Sequence, residues 1–276
     1  MRTNLRRSWV ASVILAMLAL GVETSSANDP GNDPWPDLVR DAFNGRPMAD
    51  GAGVLAIDMP YRAEDAAIVP VTLRLTLPPE DMRRVKAITL VIDENPAPVA
   101  ATFTFGPNAA IAAISTRVRV NSYTNVHAVA ELSDDKLYVV KTFVKASGGC
   151  SAPAAKSADD AQASLGQMRL RQFAQPAEAP ASRWRDVQLM IRHPNNSGLQ
   201  MDQVTRLYVP AFFVQQVKLW QGDDLILAVD GGISLSEDPN IRFTYRPTSA
   251  ETLRAEAADT DNHVFKREWP VERSEM

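Results

Sequence analysis

The sequence contains few of the side chains that most often bind metals or form disulfides. Its 276 residues include one cysteine and three histidines. His127, His193 and His263 are far apart, and none has a second histidine or cysteine at metal-ligand spacing. We therefore predict no metal site and no cofactor. His127 lies in an alternating strand pattern and His193 starts a loop, so a structural role is expected for both.

Basic clusters and common catalytic motifs are also missing. The net charge of −4 gives no basic face for nucleic acid. The sequence has no nucleophile elbow, no Walker loop and no dinucleotide fingerprint. A cysteine hydrolase would need a histidine and an Asn or Asp held rigidly beside its thiol, which a glycine-rich segment does not favour. These absences predict a protein that is not an enzyme and does not bind nucleic acid.

No apolar run reaches the roughly 20 residues of a membrane anchor. The apolar stretch at residues 9–22 follows the basic residues Arg2, Arg6 and Arg7, and the small residues Ser25-Ser-Ala27 come after it. This order predicts a cleaved signal peptide at residues 1–27 and a periplasmic protein without membrane attachment after cleavage. The general secretory and twin-arginine routes both remain open.

Two segments have the period-two alternation of strands. Between Gly53 and about Ala146, roughly seven short apolar runs are separated by turn signals, which predicts an antiparallel β-sandwich. The arginines of these runs, including Arg117 and Arg119, are expected to face solvent. Similar runs from Trp184 onward predict a second small sandwich, with a hairpin turn at residues 221–224.

Two other segments differ from this pattern. Residues 33–44 predict a short helix, with Asp33 as its cap and a proline in its first turn, although a docked N-terminal strap would also fit. Residues 146–182 are rich in alanine, serine and proline, which is typical of a linker. Within it, residues 157–171 are compatible with a helix, and Ser157 and Asp160 have capping-box spacing.

Cys150 is the most informative residue of this linker. It follows Gly148 and Gly149, which provide backbone freedom and no packing surface, so we predict a solvated thiol on a flexible arm. An unpaired cysteine in an exported protein suggests an intermolecular bond or a reactive thiol, the alternative being a chance surface cysteine. A thiolate can hold sulfur, form a mixed disulfide or accept an acyl group.

The sequence resembles the SoxY and SoxZ subunits of the periplasmic sulfur-oxidation carrier SoxYZ. The SoxY resemblance covers about residues 35–150 and ends at Gly148-Gly-Cys150, and the SoxZ resemblance covers about residues 184–270. It rests on matching stretches at residues 85–98, 100–105, 114–119, 126–131, 191–194, 209–213 and 235–243. The resemblance implies two immunoglobulin-like sandwiches fused in one chain, with Cys150 as the covalent carrier of sulfur intermediates.

The predicted fold is therefore all-β, with two immunoglobulin-like antiparallel β-sandwich domains joined by a flexible linker and preceded by a short N-terminal helix. The predicted segments are a signal peptide at 1–27, a SoxY-like domain at 28–147, a cysteine-bearing arm and linker at 148–182, and a SoxZ-like domain at 183–276. We call the two domain segments the first half and the second half.

One departure from the family bears on function. The family's carrier cysteine sits in a Gly-Gly-Cys-Gly-Gly sequence at the C-terminus of SoxY, whereas here Ser151-Ala-Pro153 follows and the arm continues into the second half. An arm anchored at both ends reaches less far, so thiosulfate-oxidising enzymes that need a free terminus are not the expected partners. The fusion resembles proteins associated with periplasmic quinoprotein alcohol dehydrogenases. The expected partners are sulfur-oxidation or quinoprotein dehydrogenase enzymes.

Three functional hypotheses follow. The first is a periplasmic carrier that covalently holds a sulfur-containing or other thiol-linked intermediate on Cys150. The second is a non-covalent accessory or binding protein of a quinoprotein alcohol dehydrogenase system. The third is a thiol-based enzyme such as a sulfurtransferase.

Overall fold

The computed structural model describes residues 33–173 and 184–272. The predicted signal peptide at residues 1–27 and a part of the predicted linker lie outside the described residues. From Pro34 onward the chain forms one compact unit. Among the described residues, no helix has the length and apolarity needed to cross a membrane.

Most of the regular secondary structure in the described chain is β-strand, which confirms the predicted all-β class with a short N-terminal helix. The two helices are α1 (Trp35–Phe43) and α2 (Ala158–Ala163). In the first half the strands are β1 (Met48–Asp50), β2 (Leu55–Asp58), β3 (Val69–Leu75), β4 (Val85–Ile92), β5 (Val99–Phe105), β6 (Ile111–Val118), β7 (Thr124–Leu132) and β8 (Leu137–Val144). They are followed by β9 (Met168–Phe173), β10 (Arg185–Ile191), β11 (Val214–Gln221), β12 (Asp224–Gly231), β13 (Asn240–Tyr245), β14 (Thr252–Asp259) and β15 (Val264–Pro270).

Both sheets contain strands from both halves. The larger sheet has the order β1-β8-β7-β4-β5-β12-β11-β14-β15, and the smaller has the order β2-β3-β6-β13-β10-β9. The halves meet where β5 pairs with β12, Phe103 lying opposite Val229, and where β6 pairs with β13, Ile114 lying opposite Phe243. The two halves therefore continue each other's sheets edge to edge. The predicted limits of the two domains stay a prediction.

The core lies between these sheets and follows from the alternation in the sequence. In β3, Val69, Val71 and Leu73 are buried, while Arg74, which follows Leu73, is exposed. Each fully buried side chain of this size contributes about 1.5–3 kcal/mol through removal of apolar surface from water. One hydrophobic cluster includes buried residues of both halves, among them Phe103 and Phe243. The core is thus shared across the junction.

Helix α1 begins with the predicted proline but not with the predicted cap. The N-cap residue is Pro34, without a side-chain capping hydrogen bond, so the assignment of Asp33 as the cap is wrong. Proline suits the start of a helix because its missing N–H would have no partner within the helix. Phe43 at the helix end is buried against a small cluster that includes Val91 and Val129.

The linker is more ordered than its composition predicts. Ser157 caps α2 as expected, its hydroxyl accepting a hydrogen bond from the Asp160 backbone N–H at 3.2 Å. The helix-compatible stretch of the sequence, however, continues to Arg171. The structure instead forms β9 there, with Leu170 opposite Leu189 of β10. The alternation of Met168 and Leu170 with arginines accounts for this strand, since it places the apolar residues on one face.

Candidate functional site: a buried cysteine beside a buried arginine

The side chain of Cys150 is fully buried, and its thiol is free. Its relative exposure is 0%. The prediction of a solvated thiol is therefore wrong. The role of Cys150 as covalent carrier and the flexibility given by Gly148 and Gly149 stay predictions.

Backbone contacts hold the arm against the first half. The Gly148 N–H donates to the Asn121 carbonyl at 2.8 Å, and the Gly149 N–H donates to the Val120 carbonyl at 3.0 Å. A Cβ on Gly149 would lie 2.0 Å from the Ala66 carbonyl oxygen and 2.7 Å from the Val120 carbonyl oxygen. Gly149 is therefore required for this close approach, whereas Gly148 has a φ of +78°, which favours glycine.

Polar side chains of the second half bind the other side of the arm. The Ser197 hydroxyl donates a hydrogen bond to the Cys150 carbonyl, and the Gln200 side-chain amide donates to the Ala152 carbonyl at 3.0 Å. Ser197 and Gln200 are both buried. The arm thus lies between the two halves and is hydrogen-bonded to both.

Arg119 lies at the centre of this contact. Its Nη1 donates to the Gly149 carbonyl at 3.2 Å, and its Nη2 donates to the Asn195 carbonyl at 3.3 Å. Arg119 is 1% exposed, so its expected place on a solvated face is wrong. The physical reason is that β6 ends at Val118 and the alternation of that strand does not continue to Arg119. The guanidinium connects the residue before Cys150 with the second half.

Burial and the guanidinium have opposite effects on the thiol. Burial raises the pKa of Cys150 above its ordinary value, and the positive charge of Arg119 lowers that pKa by a smaller amount. Burial also lowers the pKa of Arg119, whose charge is favoured by Cys150, Glu237 and Asp65. At neutral pH the docked Cys150 is consequently a protonated, weakly reactive thiol, because the thiolate is the nucleophile.

Buried amides fix the position of Arg119 and of its partner. Asn95 donates from its side-chain amide to the Arg119 carbonyl at 2.8 Å and to the Ser234 hydroxyl at 2.9 Å. On the other side, the side-chain oxygen of Asn195 accepts from the Val214 N–H at 3.1 Å. Since these groups are buried and paired, they hold the site rigid.

His193 supports Asn195 and therefore the site. The Asn195 N–H donates to Nδ1 of His193 at 3.1 Å, which agrees with the structural role predicted for His193. Because Nδ1 accepts, the neutral ring carries its proton on Nε2, which lies 3.4 Å from a carboxylate oxygen of Asp259. Burial is the main cause that lowers the pKa of His193. The folded site therefore favours the neutral imidazole.

This histidine predicts a fall in stability at mildly acidic pH. The unfolded chain takes up a proton at the ordinary His pKa of 6.5, whereas the folded chain takes it up only at lower pH. The contribution of His193 to the free energy of unfolding is therefore fully present above the ordinary pKa of 6.5. This contribution decreases as the pH falls from 6.5 towards the lowered pKa of the folded chain. We expect urea unfolding at pH 5–7 to show this slope and His193→Gln to reduce it. A slope in His193→Gln equal to that of the wild type would contradict the assignment.

Of the other two histidines, His263 shares the Asp259 carboxylate with His193, whereas His127 contacts other residues. His127 is buried, its Nδ1 is 2.9 Å from Asp93, and its ring stacks on Trp35 at a centroid distance of 3.6 Å. His263 lies beside Asp259, with Nδ1 2.8 Å from its carboxylate. Across residues 33–173 and 184–272, no group of three or more His, Cys, Asp or Glu side chains is arranged to hold a metal ion. The contacts of His127 agree with the structural role predicted for it.

Comparison with known protein families identifies the class of this two-part β-protein. The family described as sulfur oxidation protein SoxY matches residues 39–150, and the family described as sulphur oxidation protein SoxZ matches residues 173–270. These matches define a carrier or accessory protein of sulfur oxidation. The chain belongs to the SoxY and SoxZ families as a fused SoxYZ-like protein. The SoxY match ends at Cys150.

Other comparisons add little. No curated protein matches the chain. Among solved structures, superoxide reductase (neelaredoxin) from Ignicoccus hospitalis is 13% identical, with a TM-score of 0.30, over 33% of this chain and 79% of its own. A point variant of that protein is also 13% identical, with a TM-score of 0.30, over 40% of this chain and 90% of its own. Such low scores carry no argument about function.

Proposed function

We propose that the protein is a periplasmic, non-enzymatic carrier that holds a sulfur-containing or other thiol-linked intermediate covalently on Cys150. The observation that supports this proposal is the place of the thiol. Cys150 is the one cysteine of the chain and the last residue of the SoxY match. The family implies sulfur-oxidation enzymes as partners. Within this proposal, a quinoprotein dehydrogenase system is the second class of partner.

The docked arm gives this carrier a resting state. A buried, protonated thiol does not react with a partner or with oxidants, so loading requires the arm to leave its contacts. Those contacts are hydrogen bonds to Asn121, Val120, Arg119, Ser197 and Gln200, and each contributes about 0.5–1.5 kcal/mol net. The sum of a few such contributions is small enough to allow rare local opening of the arm without unfolding of the sheets.

The mass of Cys150 in native material tests covalent carriage. We expect protein purified from the periplasm under non-reducing conditions to contain a fraction with an added mass that maps to the Cys150 peptide. Incubation of the mature protein with thiosulfate or sulfide plus an oxidant should produce an adduct of the sulfur class. Cys150→Ser provides the control and should stay unmodified. Uniformly unmodified Cys150 in native material would remove the carrier proposal.

A second candidate function is a non-covalent accessory protein of a quinoprotein alcohol dehydrogenase system. Two observations favour it. The thiol is buried, and a loop of the second half exposes apolar side chains, with Val204 90%, Leu207 69% and Tyr208 66% exposed. Exposed apolar groups close together often mark a protein interface.

The two candidates differ in the variant that abolishes function. Covalent carriage predicts that Cys150→Ser abolishes dehydrogenase-linked or sulfur-dependent growth and that Val204→Ser with Leu207→Ser weakens it at most. The accessory function predicts the reverse. Growth measurements with the two variants, together with their thermal unfolding midpoints as folding controls, separate the candidates.

A further inference from the structure

Arg119 is a buried cation without a bonded anion. Within the described ranges, no carboxylate oxygen lies within ion-pair or hydrogen-bond distance of its guanidinium, whose bonds go to the carbonyls of Gly149 and Asn195. Its Nε is buried and has no hydrogen-bond partner. Leaving a buried charge unpaired is costly, and such groups are normally paired. Among the described residues, the arrangement therefore has an unused donor and a positive charge to which no carboxylate is bonded.

The neighbouring arginine shows that this situation is particular to Arg119. Arg117 also has a buried Nε without a partner, but its side chain is partly exposed and its Nη2 donates to the Asp238 carbonyl at 3.2 Å. Water can therefore solvate the Arg117 charge. Arg119 is 1% exposed and bonds the residue immediately before Cys150.

We propose that Arg119 is the counter-ion for a small anionic group attached to Sγ of Cys150, so that the docked arm accepts an anionic load in preference to a neutral one of the same size. This role deepens the proposed carrier function and rests on it. In the unloaded, protonated state the guanidinium donates only to carbonyl groups, while the carboxylates of Glu237 and Asp65 favour its charge without bonding to it. A load with a negative end would bring an anion next to the guanidinium and accept the free Nε–H. Arg119 is in this sense a positioning residue for the load.

Two alkylated forms of the protein test this role by charge alone. Iodoacetate and iodoacetamide each form an Sγ–carbon bond with Cys150, while the carbon–iodine bond breaks, iodide leaves and the thiol proton passes to the buffer. The products differ only in carrying a carboxylate or a neutral amide. Because the docked thiol is buried, labelling is carried out in a reversibly denaturing concentration of urea, followed by refolding and intact mass measurement.

We expect the carboxymethyl form to unfold at a higher temperature than the carbamidomethyl form, by about 2–4 °C for each kcal/mol of charge pairing. In Arg119→Met this order should disappear or reverse, and Arg119→Lys should keep it, since Lys retains the charge. Arg117→Met is the matched control and should keep it too. A purely structural role of Arg119 would change both forms equally and leave their difference unaltered.

The result that would overturn the proposal needs no variant. If the wild-type carboxymethyl form is no more stable than the carbamidomethyl form, Arg119 does not hold an anion there, even if Arg119→Met fails to fold. This outcome is separate from failure of the carrier function. The probes are attached chemically, so they report on Arg119 whether or not Cys150 carries a native adduct.

Discussion

Replacing Gly149 by alanine is expected to make Cys150 react about 10- to 100-fold faster with a thiol reagent under native conditions. The added Cβ would lie 2.0 Å from the Ala66 carbonyl oxygen, which is backbone and cannot move aside as a flexible side chain would. Overpacking of this kind costs about 1–3 kcal/mol. Because each 1.4 kcal/mol is about a factor of ten in an equilibrium, the open population rises accordingly.

The measurement is the rate of alkylation of Cys150 by iodoacetamide, followed by intact mass at reagent concentrations where opening is at equilibrium. Gly53→Ala is a useful control because Gly53 lies outside the arm and has open space around it, although its φ of 81° disfavours alanine. It should weaken the fold slightly and leave the alkylation rate near that of the wild type. A folded Gly149→Ala protein that reacts no faster than the wild type would contradict the inference that the docked arm controls access to the thiol.

The same substitution has a functional consequence under the carrier proposal. An arm that opens more often is loaded more readily by small reagents, but it protects its load less well. We therefore expect Gly149→Ala to lose a chemically attached disulfide adduct to glutathione faster than the wild type. Gly149 would then help to protect the load through its small size when the arm is docked, in addition to any flexibility that it gives the arm when the arm is open.

Local patterns in the sequence were sufficient for most of the secondary structure. Ser157 and Asp160 fixed the start of α2 because a capping box involves residues only three positions apart. The hairpin at residues 221–224 joins β11 and β12 as expected. The apolar runs of the first half form strands, as predicted, since alternation between clear turn signals defines both ends of a strand.

The burial of the site could not be predicted in this way because it depends on long-range contacts. Cys150 is held by Ser197, 47 positions further along the chain, and Arg119 bonds Asn195, 76 positions away. The surrounding Gly, Ser and Pro residues are typical of an exposed linker, and nothing local distinguishes a linker that docks from one that does not. The Gly149 requirement likewise arises from the Ala66 carbonyl, which only the folded chain brings near.

Replacing Phe243 by alanine should lower the free energy of unfolding of the whole compact unit by about 3–5 kcal/mol. Phe243 is 1% exposed and belongs to β13, where it lies opposite Ile114 of β6 in the first half. The core cluster includes residues of both halves, and both sheets continue across the junction. Loss of the aromatic ring therefore leaves a cavity beside the contact between the halves.

The loss of stability should extend to both halves of the chain. If the halves unfold as one unit, native-state hydrogen exchange in β7 of the first half should accelerate as much as exchange in β11 of the second half. Phe265→Ala is the matched control, because Phe265 lies on the edge strand β15 and is only partly buried, so a smaller loss is expected.

Independent sandwiches on a flexible linker would behave differently. Exchange in β7 would then stay at the wild-type rate in Phe243→Ala, and calorimetry would resolve two transitions of which only one shifts. Cooperative unfolding would instead mean that the surfaces of both halves that bind the arm are lost together, in addition to the local opening of the arm. It follows that a change at the junction would also raise the exposure of Cys150, which links the stability of the shared sheets to the accessibility of the thiol.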